Sequence, residues 1–386
     1  MNTDFDKIRC YNNDEIPDAL ERLSNEKQFM KVVSTIYPLL PKDVIKQRLM
    51  SFRTNYEFQK NFVYPFLQSL EANLTKGIDL AGIEKINVKQ PYLYISNHRD
   101  IILDSALLCA KLIERGLDTV EIAIGDNLLA FPWIEELVRV NKSFIVRRGL
   151  SPRQNLESSM LLSAYIAFTI NEKQQSIWLA QREGRAKDGN DRTQESLLKM
   201  LNMSGKGDFV SNLSRLNICP LSISYEYDPC DFLKAKEFQQ KRDNPDHKKQ
   251  PQDDLISMST GVMGYKGKVV YSITGGINEE LKKLAAESLN KNELISRTAE
   301  LIDNRIHSNY VIFSVNKIAY DLLNGTTGYQ NEYTMMEKLD FETYIEKQIQ
   351  KIDLENRDVD FLRKKILGMY ANPLINYLSS KRISDL

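Results

Sequence analysis

Apolar positions fall into three stretches of different period. From residue 1 to about 85 they recur at helical spacing, as in Phe29, Val32, Val33 and Ile36 and again in Phe62, Phe66, Leu67 and Leu70, which predicts polar-rich helices. From about 86 to 277 short β-branched and aromatic runs predict strands at 91–96, 119–124, 143–146, 176–180, 218–225 and 268–274. Helical periods at about 101–116, 127–138, 154–171 and 192–203 lie between them. Strands interleaved with helices of that length imply crossover connections and a mostly parallel sheet. Residues 234–254 are rich in charge and amide with Pro245 and Pro251, and read as a surface loop. From 278 to 386 helical spacing returns, as in Tyr310, Phe313, Ile318 and Leu322. The expectation is an α/β domain over 86–277, flanked by helical regions over 1–85 and 278–386.

Composition narrows the function. Lys+Arg and Asp+Glu both number 52, so no global field attracts nucleic acid, and any anion site must be local. Cys10, Cys109, Cys219 and Cys230 are scattered without ligand spacing, which argues against a metal site or a disulfide framework. The start of the chain lacks the basic and apolar segments of a signal peptide, and no uncharged apolar run approaches the roughly 20 residues that span a bilayer. A cytoplasmic protein is expected, lying on a membrane's cytoplasmic face if it meets one.

Of three histidines, His247 lies in the charged segment and His307 in a polar helical stretch, whereas His98 follows the run Tyr92 to Asn97 at the junction of a strand and a helix. Ligands of open α/β sheets bind at such strand ends. Asp104, in the first turns of the next helix, is placed to reach back and fix the imidazole as a general base. His98-Arg99-Asp100 also mimics a kinase catalytic loop, but that loop needs Asn where Ser105 stands and a Gly-rich phosphate loop upstream, which is missing. A second signal is the strand Trp178-Leu179-Ala180 opening into Gln181-Arg182-Glu183-Gly184-Arg185-Ala186-Lys187, where glycine permits close backbone approach and three cations offer donors to phosphate. A third strand ends in Arg147-Arg148.

In this order the motifs resemble those of the glycerophospholipid acyltransferases. Asn97-His98 with Asp104 is similar to the family's His-x4-Asp block with one residue more between them, which leaves Asp100 as the alternative partner of His98. Phe131-Pro132-Trp133 followed by Phe144 to Arg147, then Glu183-Gly184-Arg185, then Cys219-Pro220-Leu221, resemble the second, third and fourth blocks. The resemblance spans about residues 90–228. It implies that His98 activates an acceptor hydroxyl with Asp104 in support. Arg147, Glu183, Gly184, Arg185 and Lys187 would hold the acceptor phosphate, and Pro220 would face the acyl donor. It further implies glycerol-3-phosphate or a lyso-lipid as acceptor, acyl-CoA or acyl carrier protein as donor, no cofactor and no metal. The chain has no Gly-x-Ser-x-Gly nucleophile elbow, consistent with direct attack by the acceptor. Two rivals remain open: acylation of another lyso-lipid such as an amino-acid lipid, and a non-catalytic acyl-lipid binder of the same fold.

Overall fold

The computed structural model describes residues 5–384. Seven strands form one sheet: β1 (Ile78–Ala81), β2 (Leu93–Ser96), β3 (Glu121–Gly125), β4 (Ser143–Val146), β5 (Ile177–Ala180), β6 (Ile218–Tyr225) and β7 (Val269–Ile273). Their order is β1-β7-β6-β2-β5-β3-β4. The five strands from β6 to β4 run parallel, and β7 pairs antiparallel with β6 while β1 runs parallel to β7. This is the α/β, mostly parallel sheet expected. Its alternating side chains feed two cores: Leu93, Ile95, Ile177 and Leu179 go to one face, Tyr94 and Trp178 to the other. Helix Leu103–Glu114 packs on the second face and helix Pro152–Asn171 on the first.

Two expectations fail locally. β1 lies inside the segment expected to be wholly helical. It has only four residues, Ile78 and Leu80 inward and Asp79 and Ala81 outward, set between Gly77 and Gly82, both at positive φ. Four residues are too short a run to stand out against a helical period. The charged 234–254 segment is likewise no loop for much of its length: helices Asp231–Asp243 and Pro251–Met263 occupy it. On the first of them Lys241 pairs with Glu237 one turn away at 2.9 Å. Phe232, Ala235 and Phe238 of that helix pack into the C-terminal core.

The N-terminal helices form a core of their own against helix Pro132–Val140. Just before them, Ile8 O accepts a hydrogen bond from Ile145 N at 2.8 Å and so covers the outer edge of β4. At the other end of the chain, helices Ser314–Asn324, Met335–Gln350 and Val359–Ser384 pack with helix Asp231–Asp243. None of the described helices is long and apolar enough to cross a membrane.

Candidate active site

β2 ends in a side chain that imitates backbone. Asn97, fully buried, donates from Nδ2 to Ile223 O at 2.9 Å and accepts at Oδ1 from Ile223 N at 2.8 Å, continuing the β2–β6 ladder for one more rung. That pins the turn carrying His98. Below the ring, Trp178 donates to Ser96 Oγ at 3.0 Å and stands edge-on to the imidazole, centroids 5.8 Å apart. Between the two open carboxylate alternatives the geometry is decisive: Asp104 Oδ2 lies 2.8 Å from His98 Nδ1. The same oxygen accepts the backbone N–H of Arg99 at 2.6 Å and of Asp100 at 3.1 Å, so the carboxylate grips the whole turn.

Asp100 is used differently. Its Oδ1 accepts from Ile102 N and Leu103 N at 2.9 and 2.8 Å, starting helix Leu103–Glu114 as a capping side chain does. Burial pushes its carboxyl up, and the nearby Asp104 charge adds to this. Gly261 lies so close to it that a Cβ there would come 2.0 Å from Oδ2. His98 keeps 15% of its side chain exposed, and its Nε2 has no hydrogen-bond partner among the described residues. A carboxylate on Nδ1 favours the tautomer with the proton there, leaving the Nε2 lone pair to take a proton from a bound hydroxyl.

The loop after β5 carries the second group. Gln181 N donates to Ser96 O at 2.8 Å, setting the loop beside the His98 turn, and Gly184 at φ +69° and Gly189 at φ +76° make its bends. Among the described residues Arg185 has no side-chain hydrogen-bond partner, its Nη1 being buried, and its charge reaches Asp100. Arg182 Nε is also buried and unpartnered. Lys187 pairs with Glu237, and Glu183 with Arg148 at 3.4 Å. Asp191, wholly buried with neither carboxylate oxygen hydrogen-bonded among the described residues, has its pKa pushed up to about 6 by burial, against the opposing charges of Arg99, His98, Lys234 and Arg182.

Not every residue singled out in the sequence reaches this place. Arg147 is exposed just past the end of the far edge strand and points its Nη2 at Lys7 O, 3.4 Å away, while its neighbour Arg148 faces the loop through Glu183. The strand ends at Val146, so the parity of one residue decides which arginine turns inward. Pro220 is buried within β6 at the level of Ile95, three residues before the rung made by Asn97. Sequence reasoning passed over Arg99, buried 3.7 Å from Asp228, and Lys234, which donates to Asp228 Oδ2 at 2.5 Å and to Arg99 O at 3.2 Å. Burial alone would raise the Asp228 carboxyl, but Lys234 and Arg99 hold it below the usual range. Lys234 stands among charges that read as solvated, and only the helical period of 231–243 turns it inward.

Residues 77–224 match the family model described as Acyltransferase. Among solved structures, the chain is similar to the 1-acyl-sn-glycerophosphate (LPA) acyltransferase PlsC from Thermotoga maritima, with 11% identity and a TM-score of 0.35 over 74% of this chain and 91% of that one. No curated protein gives a significant match.

Proposed function

We propose that this chain, whose residues 77–224 match the acyltransferase family model, is an O-acyltransferase that moves a fatty acyl group from a thioester to a hydroxyl of glycerol-3-phosphate or its 1-acyl derivative. The observation that carries the reading is the pairing of His98 Nδ1 with Asp104 at 2.8 Å, Nε2 left free, at the sheet end where Arg185 holds an unpartnered buried nitrogen. In this reading His98 Nε2 takes the proton of the acceptor hydroxyl as its oxygen attacks the thioester carbonyl. The C–S bond then breaks, and the proton passes to the departing sulfur. A positioned base of this kind contributes on the order of 100- to 10,000-fold. Asp104 fixes the ring, and Arg185 holds the acceptor phosphate with a charge-assisted hydrogen bond.

The donor is acyl-CoA or acyl carrier protein. The protein works as a peripheral protein on the cytoplasmic face of the membrane that takes up its product, a place consistent with described helices too short or too polar to cross one. The test is acyl transfer from a labelled acyl thioester to a panel of acceptors, by wild type and His98→Ala. The variant should keep the wild-type circular dichroism and lose transfer by roughly 100-fold or more. A folded variant with wild-type turnover would remove the mechanism, and transfer only to unphosphorylated acceptors would remove the substrate.

A further inference from the structure

Beyond the family domain, helix Asp231–Asp243 and the turn that follows it close a cavity of about 110 Å³ against the loop after β5. A single water needs roughly 10–15 Å³ by this measure, so there is room for a tetrahedral oxyanion. The wall is basic, with Arg185, Lys187, Lys234, Lys236, His247 and Lys249 lining it. Three of these have carboxylate partners: Lys187 with Glu237, Lys234 with Asp228, and Lys249 with Asp254. The side chains of Arg185, Lys236 and His247 have none among the described residues. The carboxylates of the wall are already occupied, Glu237 by Lys187 and Lys241, and Asp253 by the backbone N–H of Gln250. Burial, opposed by Glu237 and reinforced by the like charges of Lys241 and Lys249, pushes the Lys187 pKa down.

We propose that this cavity is a phosphate-ester subsite in which Lys236 and His247, outside the family domain, complete the recognition begun by Arg185. The proposal rests on the reading that the enzyme handles phosphorylated substrates, and it assigns their capture to a segment that the family domain does not contain. The phosphate ester belongs either to the acceptor or to the donor's pantetheine or nucleotide portion. Both present anionic tetrahedral phosphate oxygens to a fork of nitrogen donors.

The test is the double variant Lys236→Gln/His247→Gln, two partly exposed positions whose replacement leaves the core untouched. Initial rates are measured with glycerol-3-phosphate varied at saturating palmitoyl-CoA, and the reverse. Thermal unfolding with added inorganic phosphate is followed alongside. The expected result is a KM raised by about ten-fold for one substrate with kcat changed less than about two-fold, together with loss of the stabilisation that inorganic phosphate gives the wild type. A rise in the glycerol-3-phosphate arm assigns the subsite to the acceptor, and a rise in the palmitoyl-CoA arm assigns it to the donor. Both KM values within about two-fold of wild type would overturn the proposal. If the wild type acylates no phosphorylated acceptor, the function proposed above falls. The subsite is then decided separately, upheld by phosphate stabilisation that the variant loses and overturned by stabilisation that the variant keeps.

Discussion

The His98 turn and the loop after β5 lie side by side at one end of the sheet, yet they are held by different means. The His98 turn is held mostly from within itself and from a neighbouring strand: Asp104 on the ring and on two backbone N–H groups, Asp100 on the helix start, Asn97 on Ile223, with Lys234 on Arg99 O as a contribution from helix Asp231–Asp243. The loop is held from the C-terminal region. Thr193 N and Oγ1 donate to Asp303 at 2.8 and 2.7 Å, His307 Nε2 donates to Asp191 O at 2.9 Å, Asn372 Nδ2 to Asp188 O at 2.7 Å, and Arg192 Nη2 to Asn376 Oδ1 at 2.9 Å. The comparison teaches that the candidate base is held chiefly within residues 77–224, whereas the cationic loop beside it takes much of its shape from helices outside that stretch.

The sharpest way to break that division is at the loop's two glycines. Helix Val359–Ser384 contains Pro373, which has no N–H to give to the carbonyl four residues earlier, that of Met369. Gly189 packs against that carbonyl, so a Cβ there would stand 2.4 Å from Met369 O, while at Gly184 nothing lies within 4 Å. Both have positive φ, so both alanine variants carry backbone strain. Gly189→Ala should therefore cost about 2–4 kcal/mol in urea unfolding and Gly184→Ala about 1 kcal/mol, because only the first adds a clash. Equal losses would mean that the C-terminal helix yields to the loop and does not shape it.

A smaller effect is expected from pH. His307 sits at the end of helix Lys291–His307, where burial, with some help from the Arg192 charge, pushes its pKa from 6.5 down to about 4. A histidine lowered on folding stabilises the protein above its unfolded pKa, and that contribution is lost as the pH falls toward the folded value. By pH 5 the loss amounts to about 2 kcal/mol. Asp191 and Asp303, both raised by burial to about 6, titrate in the opposite sense, so the readout is the difference between wild type and His307→Gln. The wild-type urea midpoint should fall more than the variant's between pH 7 and 5. Parallel curves would show that His307 does not couple the loop to the C-terminal helices.

The sequence disclosed the two halves of the site unequally for the same structural reason. Strand periodicity and the placement of His98 at a strand end are local signals, and they led to the parallel sheet and to the candidate base. The sequence favours Asp104 and leaves Asp100 as the alternative, and the turn's hydrogen bonds join His98 to Asp104. β1 escaped because four residues carry too little pattern. Lys234, Lys236 and the rest of helix Asp231–Asp243 escaped because their charges read as solvent-facing, although Ala235 and Lys234 are buried. What could not be read at all were the restraints on the loop, whose partners lie more than a hundred residues away in Asp303, His307, Asn372 and Asn376.

The smallest expected effect concerns Arg147, which the sequence motif groups with Arg185 and the structure separates from it. β4 is the edge strand of the sheet, with β3 between it and β5, and Arg147 at its end extends across the N-terminal segment toward Lys7 O. Arg148 turns the other way, its backbone N–H donating to Asp126 Oδ1 at 3.1 Å and its guanidinium meeting Glu183. A side chain exposed at the edge and engaged elsewhere has little to give a substrate phosphate, whereas Arg185 has an unpartnered nitrogen facing inward. Arg147→Ala should thus leave the KM for glycerol-3-phosphate within about two-fold of wild type, less than roughly 0.5 kcal/mol, and Arg185→Ala should raise it by about ten-fold or more. Measured on the same preparation, the two values rank the arginines directly. A ten-fold rise for Arg147→Ala would mean that substrate draws the end of β4 inward, and that the cationic wall of the site extends across three strands rather than ending at the loop after β5.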